Sequence, residues 1–474
     1  MLTLNDAIEA LTTFRPVMEL PVITEAAIDS RQVIPGSLFV AIPGENVDGH
    51  DFVSEAFRRG ASFALIQHDL QDPHPTLDLR KPLDPDSLQV TLSQPCCLYV
   101  ENTLLSLQQI ARFWRHQLDL RVIGITGSVG KSTTKEVAAE VLSQRYRTLK
   151  NPGNQNNEIG LPLSILRLGR GYEVAVLEMG FYVPGEIALL CDIASPQVGV
   201  VTNIGTVHAQ RAGSKEAIVR GKTELVEALP PAPEGVAILN FDDPWVRQMA
   251  QKTRARILFY GLDPQAELWA DQVESMGLDG IHFHLHYHDE VIHVRVPLIG
   301  QHSVHTALRA AAIGLVEGMT WQEIMEGLRA GHTQLRLVAV RSENGALLLD
   351  DTYNASPEST IAALNLLAEL GGHRVAVLGD MLELGPYEKQ GHEIVGVRVA
   401  EIADLLVTVG ERGRLIADAA RKAGLRSSAV TELETTDQAI EYLRQTLTED
   451  EVVLVKGSHG IRMDRIVAAL ETQA

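Results

Sequence analysis

Hydrophobic positions along the chain follow two periods. Short continuous apolar runs at Ser37–Ile42, Ala61–Ile66, Arg121–Ile123, Glu173–Glu178, Val198–Asn203 and Val236–Asn240 predict buried strands. Helical patterns lie between them, among them Thr103–Leu118 and Lys135–Gln144, the second with Val137, Val141 and Leu142 on one face. Continuous apolar strands alternating with helices predict a parallel sheet covered on both faces. Residues 255–298 alternate polar and apolar instead, which predicts antiparallel hairpins appended to that sheet. Within Gly280–His288, the histidines His282, His284, His286 and His288 share one face, with Phe283, Leu285 and Tyr287 on the core face. Such a histidine row could ligate a metal, but it reads better as a solvated face, and no metal centre is expected there. A further set of strand-like runs, Ala346–Asp350, Arg374–Gly379, Leu405–Val409 and Val452–Lys456, predicts a second doubly wound α/β domain. It lacks the G-x-G-x-x-G dinucleotide fingerprint. Asp72–Asp86, rich in Pro and Asp, reads as a surface loop.

One turn among these elements carries specific chemistry. Gly124-Ile-Thr-Gly-Ser-Val-Gly-Lys-Ser-Thr-Thr134 joins a β-branched run to a helix. Strand, glycine turn, Lys-Ser, helix is the arrangement that cradles nucleotide phosphates. Gly127, Ser128, Val129, Gly130 and Thr133 would present backbone N–H groups, Lys131 would neutralise the β/γ charge, and Ser132 would hold Mg²⁺. Two residues separate Gly127 from Gly130, so the loop is a Thr-Gly-x-x-Gly-Lys-Ser form, shorter than the common one. A merely structural glycine turn is the bland alternative, and the Lys-Ser pair argues against it. Residues at the carboxyl ends of parallel strands tend to line the site. Glu178 ends one run, Asn203 the next, and His208 follows shortly, so Glu178 and His208 are candidate Mg²⁺ ligands.

Composition narrows the class. The 474 residues are 45% hydrophobic and 22% charged, enough for two to four globular domains. A net charge of −20 argues against nucleic acid or an anionic membrane as partner. Cys96, Cys97 and Cys191 have no zinc spacing and read as buried small hydrophobes. Met1–Glu25 lacks a basic start with a long apolar core, and no stretch is long enough to span a bilayer, so a cytoplasmic protein is expected.

Longer motifs point to a family. Asp29-Ser-Arg31, Pro35–Ala41 with Gly44, and Asp48-Gly-His50-Asp-Phe52 resemble the uridine-nucleotide-binding domain of the Mur ligases. Asn151–Leu163 is similar to their central substrate loop. Glu178-Met-Gly180, Asn203-Ile-Gly205 and His208 resemble their metal-binding segments. Asp350–Pro357, Val377–Gly385, Lys456-Gly-Ser458 and Arg462-Met463 are similar to the C-terminal signatures of the branch that adds D-alanyl-D-alanine.

That resemblance covers nearly the whole chain and implies a three-domain α/β protein. Residues 1–105 would form a small α/β domain for the UDP-linked substrate. Residues 106–330 would form the central P-loop ATPase-like domain. Residues 331–474 would form a Rossmann-like domain for the dipeptide and part of the ATP site. The implied activity joins a UDP-N-acetylmuramoyl-tripeptide to D-alanyl-D-alanine through an acyl phosphate, using ATP and Mg²⁺, in a monomer. It assigns Lys222 as a carbamylated lysine at the metal site beside Ser132, Glu178 and His208, with Lys131, Lys222, His208 and Glu178 as the catalytic set. Arg336 and Asp351 would contact ATP. Ser30, Arg31, Asn154, Asn156, Asn157, Tyr353, Asn354 and Lys456 would bind the two other substrates. Alternatives are a relative that adds a single amino acid and a nucleotide-binding relative that no longer ligates.

The chain also departs from the family pattern. Val129 stands where the loop often has Asn. The segment Gly-x-His-Asn-x-x-Asn-x-x-Ala becomes Gly300-Gln-His302-Ser303-Val-His305-Thr306-Ala-Leu-Arg309. Ser303 and Thr306 replace two asparagines, one of which normally meets adenine, and each offers one polar group instead of two. Asn240, ending its strand, is a further candidate neighbour of adenine.

Overall fold

A computed structural model describes residues 1–17, 19–44, 46–72, 74–83, 95–206, 209–330 and 338–472. Among these residues the strands form three sheets of five, nine and six strands, with helices between most of them. By its contacts the chain divides into two units: Met1–Gly124 with Tyr146–Gly180 and Gly185–Val198, and Ile125–Arg145 with Phe181–Pro184 and Gly199–Ala474.

In the first unit a five-stranded parallel sheet runs in the order Ala26–Ala27, Leu38–Val40, Phe63–Ile66, Cys96–Tyr99, Thr76–Asp78. Phe39, Ala41, Ala64, Ile66 and Cys97 pack one of its faces with Val33, Val53 and Ala56. All three cysteines are buried, as their bland reading required. Thr76–Asp78 lies in the stretch read as loop and is instead an edge strand, of which only Leu77 is buried. Three residues with one apolar contact carry too little period to stand out, and pairing with Cys97–Tyr99 is what makes them a strand.

In the second unit Val236–Asn240, Arg256–Gly261 and Leu268–Ser275 pair in parallel. Ile281–Tyr287 and Glu290–Val296 continue the sheet antiparallel, so the hairpins expected over 255–298 form only from Leu268–Ser275 onward, and Arg256–Gly261 is instead a parallel strand on both sides. Ile281, Phe283 and Leu285 are buried between half-exposed His282, His284 and His286. His288 has left the strand for the turn, at φ 51°, so the histidine face is one residue shorter than the sequence suggested. His286 lies flat on Trp269, with ring centroids 3.8 Å apart, and bonds Asp271.

The six-stranded sheet runs Val338–Arg341, Leu347–Asp351, Glu451–Lys456, His373–Gly379, Leu405–Val409, Val430–Leu433. It is parallel except for the first strand. Pro357–Glu369, Glu388–Ile402 and Gly413–Lys422 pack one face, and Thr436–Thr446 and Asp464–Leu470 pack the other. This is the doubly wound arrangement expected. No helix among the described residues is long and apolar enough to cross a membrane.

Candidate active site

The phosphate loop is held from behind. Strand Arg121–Thr126 enters it and helix Lys131–Ser143 leaves it. Gly127 and Gly130 sit at φ 141° and 84°, values that favour glycine. Thr202 donates its hydroxyl to the Val129 carbonyl at 2.7 Å. The Asn203 side-chain oxygen accepts from Val129 N–H at 2.9 Å, and its backbone carbonyl accepts from Ser128 N–H. The side chain at position 129 is therefore not what shapes the loop; its backbone is clamped by Thr202 and Asn203. A Cβ on Gly127 would stand 1.8 Å from the Thr202 hydroxyl. Gly127→Ala is expected to cost about 3 kcal/mol in urea unfolding, from overlap plus strain at positive φ. It should also abolish ADP binding, and a variant as stable as the parent that still bound ADP would contradict this seat.

Two lysines converge on one carbonyl. Lys131 Nζ donates to Gly127 O at 3.0 Å, and Lys222 Nζ donates to the same oxygen at 2.9 Å. Helix Lys215–Glu227, capped by Ser214, carries Lys222 on its buried side. Lys222 is 2% exposed and lies 4.9 Å from the Phe181 ring centroid. Burial, and then the charge of Lys131, hold its amine well below the usual lysine range. The result is an amine readily left neutral and nucleophilic.

Glu178 ends the strand Val174–Glu178 and is 1% exposed. Asn156 donates its amide to Glu178 Oε1 at 2.9 Å. Asn151 clasps the same residue's backbone, accepting from its N–H and donating to its carbonyl. Asn157 accepts from Gly160 N–H and starts the helix Gly160–Leu166, while Asn154 is exposed in the preceding turn. Asn151 is a residue whose role the sequence did not disclose, because its partner is 27 positions away. Ser30 is buried and Arg31 exposed on a short 3₁₀ turn, where Arg31 pairs with Asp29.

A cavity of about 350 Å³ in the second unit opens over the loop. Ser128, Val129, Gly130, Ser132, Thr133 and Asn240 line it from one side, and Asp351, Tyr353, Asn354 and Lys456 from the other. Lys456 is 2% exposed and donates to Asp351 Oδ2 at 2.6 Å and to the Asn354 carbonyl at 2.8 Å. Glu358 accepts from Thr206 N–H and Oγ, tying the start of helix Pro357–Glu369 to the turn after strand Val198–Val201. Asn240 spends its amide on backbone, donating to the Thr202 carbonyl and accepting from Asp242 N–H. Ser303, Thr306 and Arg309 also line the cavity, and Arg309 went unassigned in the sequence. His302 lines it too, its imidazole lowered by burial. His208 and Arg336 lie outside the described residues.

Three family models match the chain. They are the Mur ligase family catalytic domain at residues 22–81, the Mur ligase middle domain at 125–314 and the Mur ligase glutamate ligase domain at 335–459. A UDP-N-acetylmuramoyl-tripeptide–D-alanyl-D-alanine ligase of Bacillus subtilis is 34% identical over 97% of this chain and 95% of its own length. The chain belongs to the Mur ligase family. An Escherichia coli protein of the same name is 34% identical to this Mur ligase over 94% of this chain and 92% of its own. The crystal structure of MurF from Acinetobacter baumannii matches this Mur ligase with a TM-score of 0.82 at 30% identity, covering 98% of each chain. MurF from Thermotoga maritima, solved in complex with ADP, matches it at 0.78 and 28% identity, covering 97% of each.

Proposed function

We propose that this Mur ligase joins the amino group of D-alanyl-D-alanine to the terminal carboxylate of a UDP-N-acetylmuramoyl-tripeptide, as a cytoplasmic monomer. ATP is converted to ADP and phosphate in peptidoglycan precursor synthesis. The observation that carries this reading is the cavity that faces the phosphate loop on one side and Tyr353, Asn354 and Lys456 on the other. Near full-length identity to ligases of that name supports it.

The chemistry has two transfers. A tripeptide carboxylate oxygen attacks the γ-phosphorus, the bond to the β-bridging oxygen breaks, and ADP leaves. The dipeptide amine then attacks the acyl carbon, phosphate departs with its oxygen, and the amine's proton is lost. Two anions must meet for the first step, so fixed cations and donors are what the site needs. Lys131 and the backbone N–H groups of Gly130 to Thr133 hold and neutralise the phosphates; those of Ser128 and Val129, expected to join them, are taken by Asn203. Asp351 and Arg336 serve the nucleotide, with Asn240 toward adenine. Lys456, Tyr353 and Asn354 receive the dipeptide, Lys456 offering a cation for its carboxylate. Asn154, Asn156 and Asn157 form the loop for the muramoyl tripeptide, and Ser30 and Arg31 bind its uridine end. The three domains would divide this work at residues 1–105, 106–330 and 331–474.

Ser132, Glu178 and His208 would hold Mg²⁺: the hydroxyl and the buried carboxylate are oxygen ligands of the kind it prefers, and His208 would add a nitrogen. Lys222 fits it only after its neutral amine adds to CO₂ and releases a proton, which turns a neutral group into an anionic carbamate. Mg²⁺ bound there supplies charge that offsets the repulsion between carboxylate and γ-phosphate. Purified protein given ATP, UDP-N-acetylmuramoyl-tripeptide and D-alanyl-D-alanine should release one phosphate per pentapeptide formed, and none when either substrate is omitted. Product formed with a single amino acid but not with the dipeptide would overturn the assignment, as would ATP hydrolysis indifferent to both.

A further inference from the structure

Arg309 is buried at 3% exposure, lines the cavity and stands where the family segment has Ala. Its Nε donates to the Thr134 hydroxyl at 2.8 Å, Nη1 to the Tyr260 hydroxyl at 3.3 Å and Nη2 to the Thr306 hydroxyl at 2.9 Å. All three partners are neutral, and among the described residues no carboxylate pairs with it. The acids near Tyr260 are committed elsewhere. Asp242 accepts from Leu262 N–H, Asp263 N–H and His305, and Asp243 from Ile204, Trp245 and Val246 N–H. A buried cation whose partners are all neutral is costly, because hydroxyl dipoles return only part of its lost hydration.

The guanidinium is placed to act on an anion in the loop. Its Nη2 would lie 3.0 Å from a Cβ at Gly130, so the glycine is what lets it come up beneath the loop. Thr134, which fixes Nε, belongs to the first turn of the helix that follows. Among the described residues three of its five N–H groups are engaged, which leaves two for a ligand. Since a guanidinium cannot accept, the Thr306 hydroxyl must accept from it, and its own hydrogen is left to donate.

We propose that Arg309 is a nucleotide-positioning residue of this chain, a second fixed cation beneath the phosphate loop that draws the nucleotide's phosphates and presets the Thr306 hydroxyl as a donor. This rests on the nucleotide reading of the loop. Its test is calorimetric binding of ADP and of adenosine to the full chain, to Arg309→Met and to Arg309→Lys. In Arg309→Met, ADP should bind about 10- to 100-fold more weakly while adenosine changes less than about threefold, the size expected for charge-assisted contacts. Arg309→Lys keeps the charge and should retain most of the preference for ADP over adenosine, which keeps the idea testable if the Met variant does not fold. Equal weakening of ADP and adenosine, or loss of the preference in a folded Lys variant, would overturn the role and leave Arg309 as a packing residue. An unmutated chain that failed to bind ADP would overturn the loop's nucleotide site first, and this role with it.

Discussion

Lys131→Ala is expected to lower the turnover of ligation by about 10³-fold while the protein stays folded. The figure follows from the general size of a preorganised charge aimed at a transition state. Lys131 begins the helix after the loop, and its ammonium rests on the Gly127 carbonyl, the position from which it can turn to a γ-phosphate. The charge on that phosphate spreads as the tripeptide carboxylate attacks, so the lysine contributes more in the transition state than in the ground state. Turnover should therefore fall further than ATP affinity does. Fold loss should be small, because removing Lys131 also removes the charge that helps depress Lys222. Phosphate release measured with both substrates, beside a thermal unfolding curve, decides this. A folded variant with ordinary turnover would remove Lys131 from the mechanism.

Lys222→Met should separate stability from activity. Burying an ammonium at this site costs folding free energy, and the methionine removes that cost while filling a similar volume, so the unfolding midpoint should hold or rise. Ligation should fall by at least about 10²-fold, on the scale of a lost electrostatic group. The pH dependence has a definite sign. The native amine loses its proton well below 10.5, whereas the unfolded chain keeps it up to about that value. Between the two values the unfolded state binds more protons, so this group makes stability rise with pH and fall as pH drops. That slope should vanish in Lys222→Met. The carbamate reading adds a chemical test: Lys222→Ala should regain part of its activity with acetate or formate, but not with bicarbonate, because no amine remains to react. A Lys222→Ala protein with full turnover would sink the reading. Failure of small carboxylates to rescue it would count against the carbamate.

Legibility followed the range of the interactions. The strand-loop-helix of the phosphate site is specified within a dozen residues, and the structure builds it there. The helix begins at Lys131 rather than at the expected Lys135, because its first turn, Lys-Ser-Thr-Thr, is polar and carries no apolar period. The strand expected to reach Asn203 stops at Val201 because Thr202 and Asn203 turn their polar groups to the loop. The edge strand Thr76–Asp78 was missed for want of length. Arg309 was in plain view inside a motif, yet its partner Thr134 is 175 residues away, and nothing local foretells that meeting.

What the order of residues decides is therefore the alternation of strands and helices, the glycine turn and the chemical types of the groups beside it. These depend on side-chain period, allowed φ and short spacings, all of which act along the chain. Only the packed structure decides that Lys222 loses its water, that two lysines share the Gly127 carbonyl, and that an arginine bonded to three hydroxyls lies beneath Gly130. Desolvation and proximity between distant segments belong to the tertiary environment, and they set which of the charged groups can act.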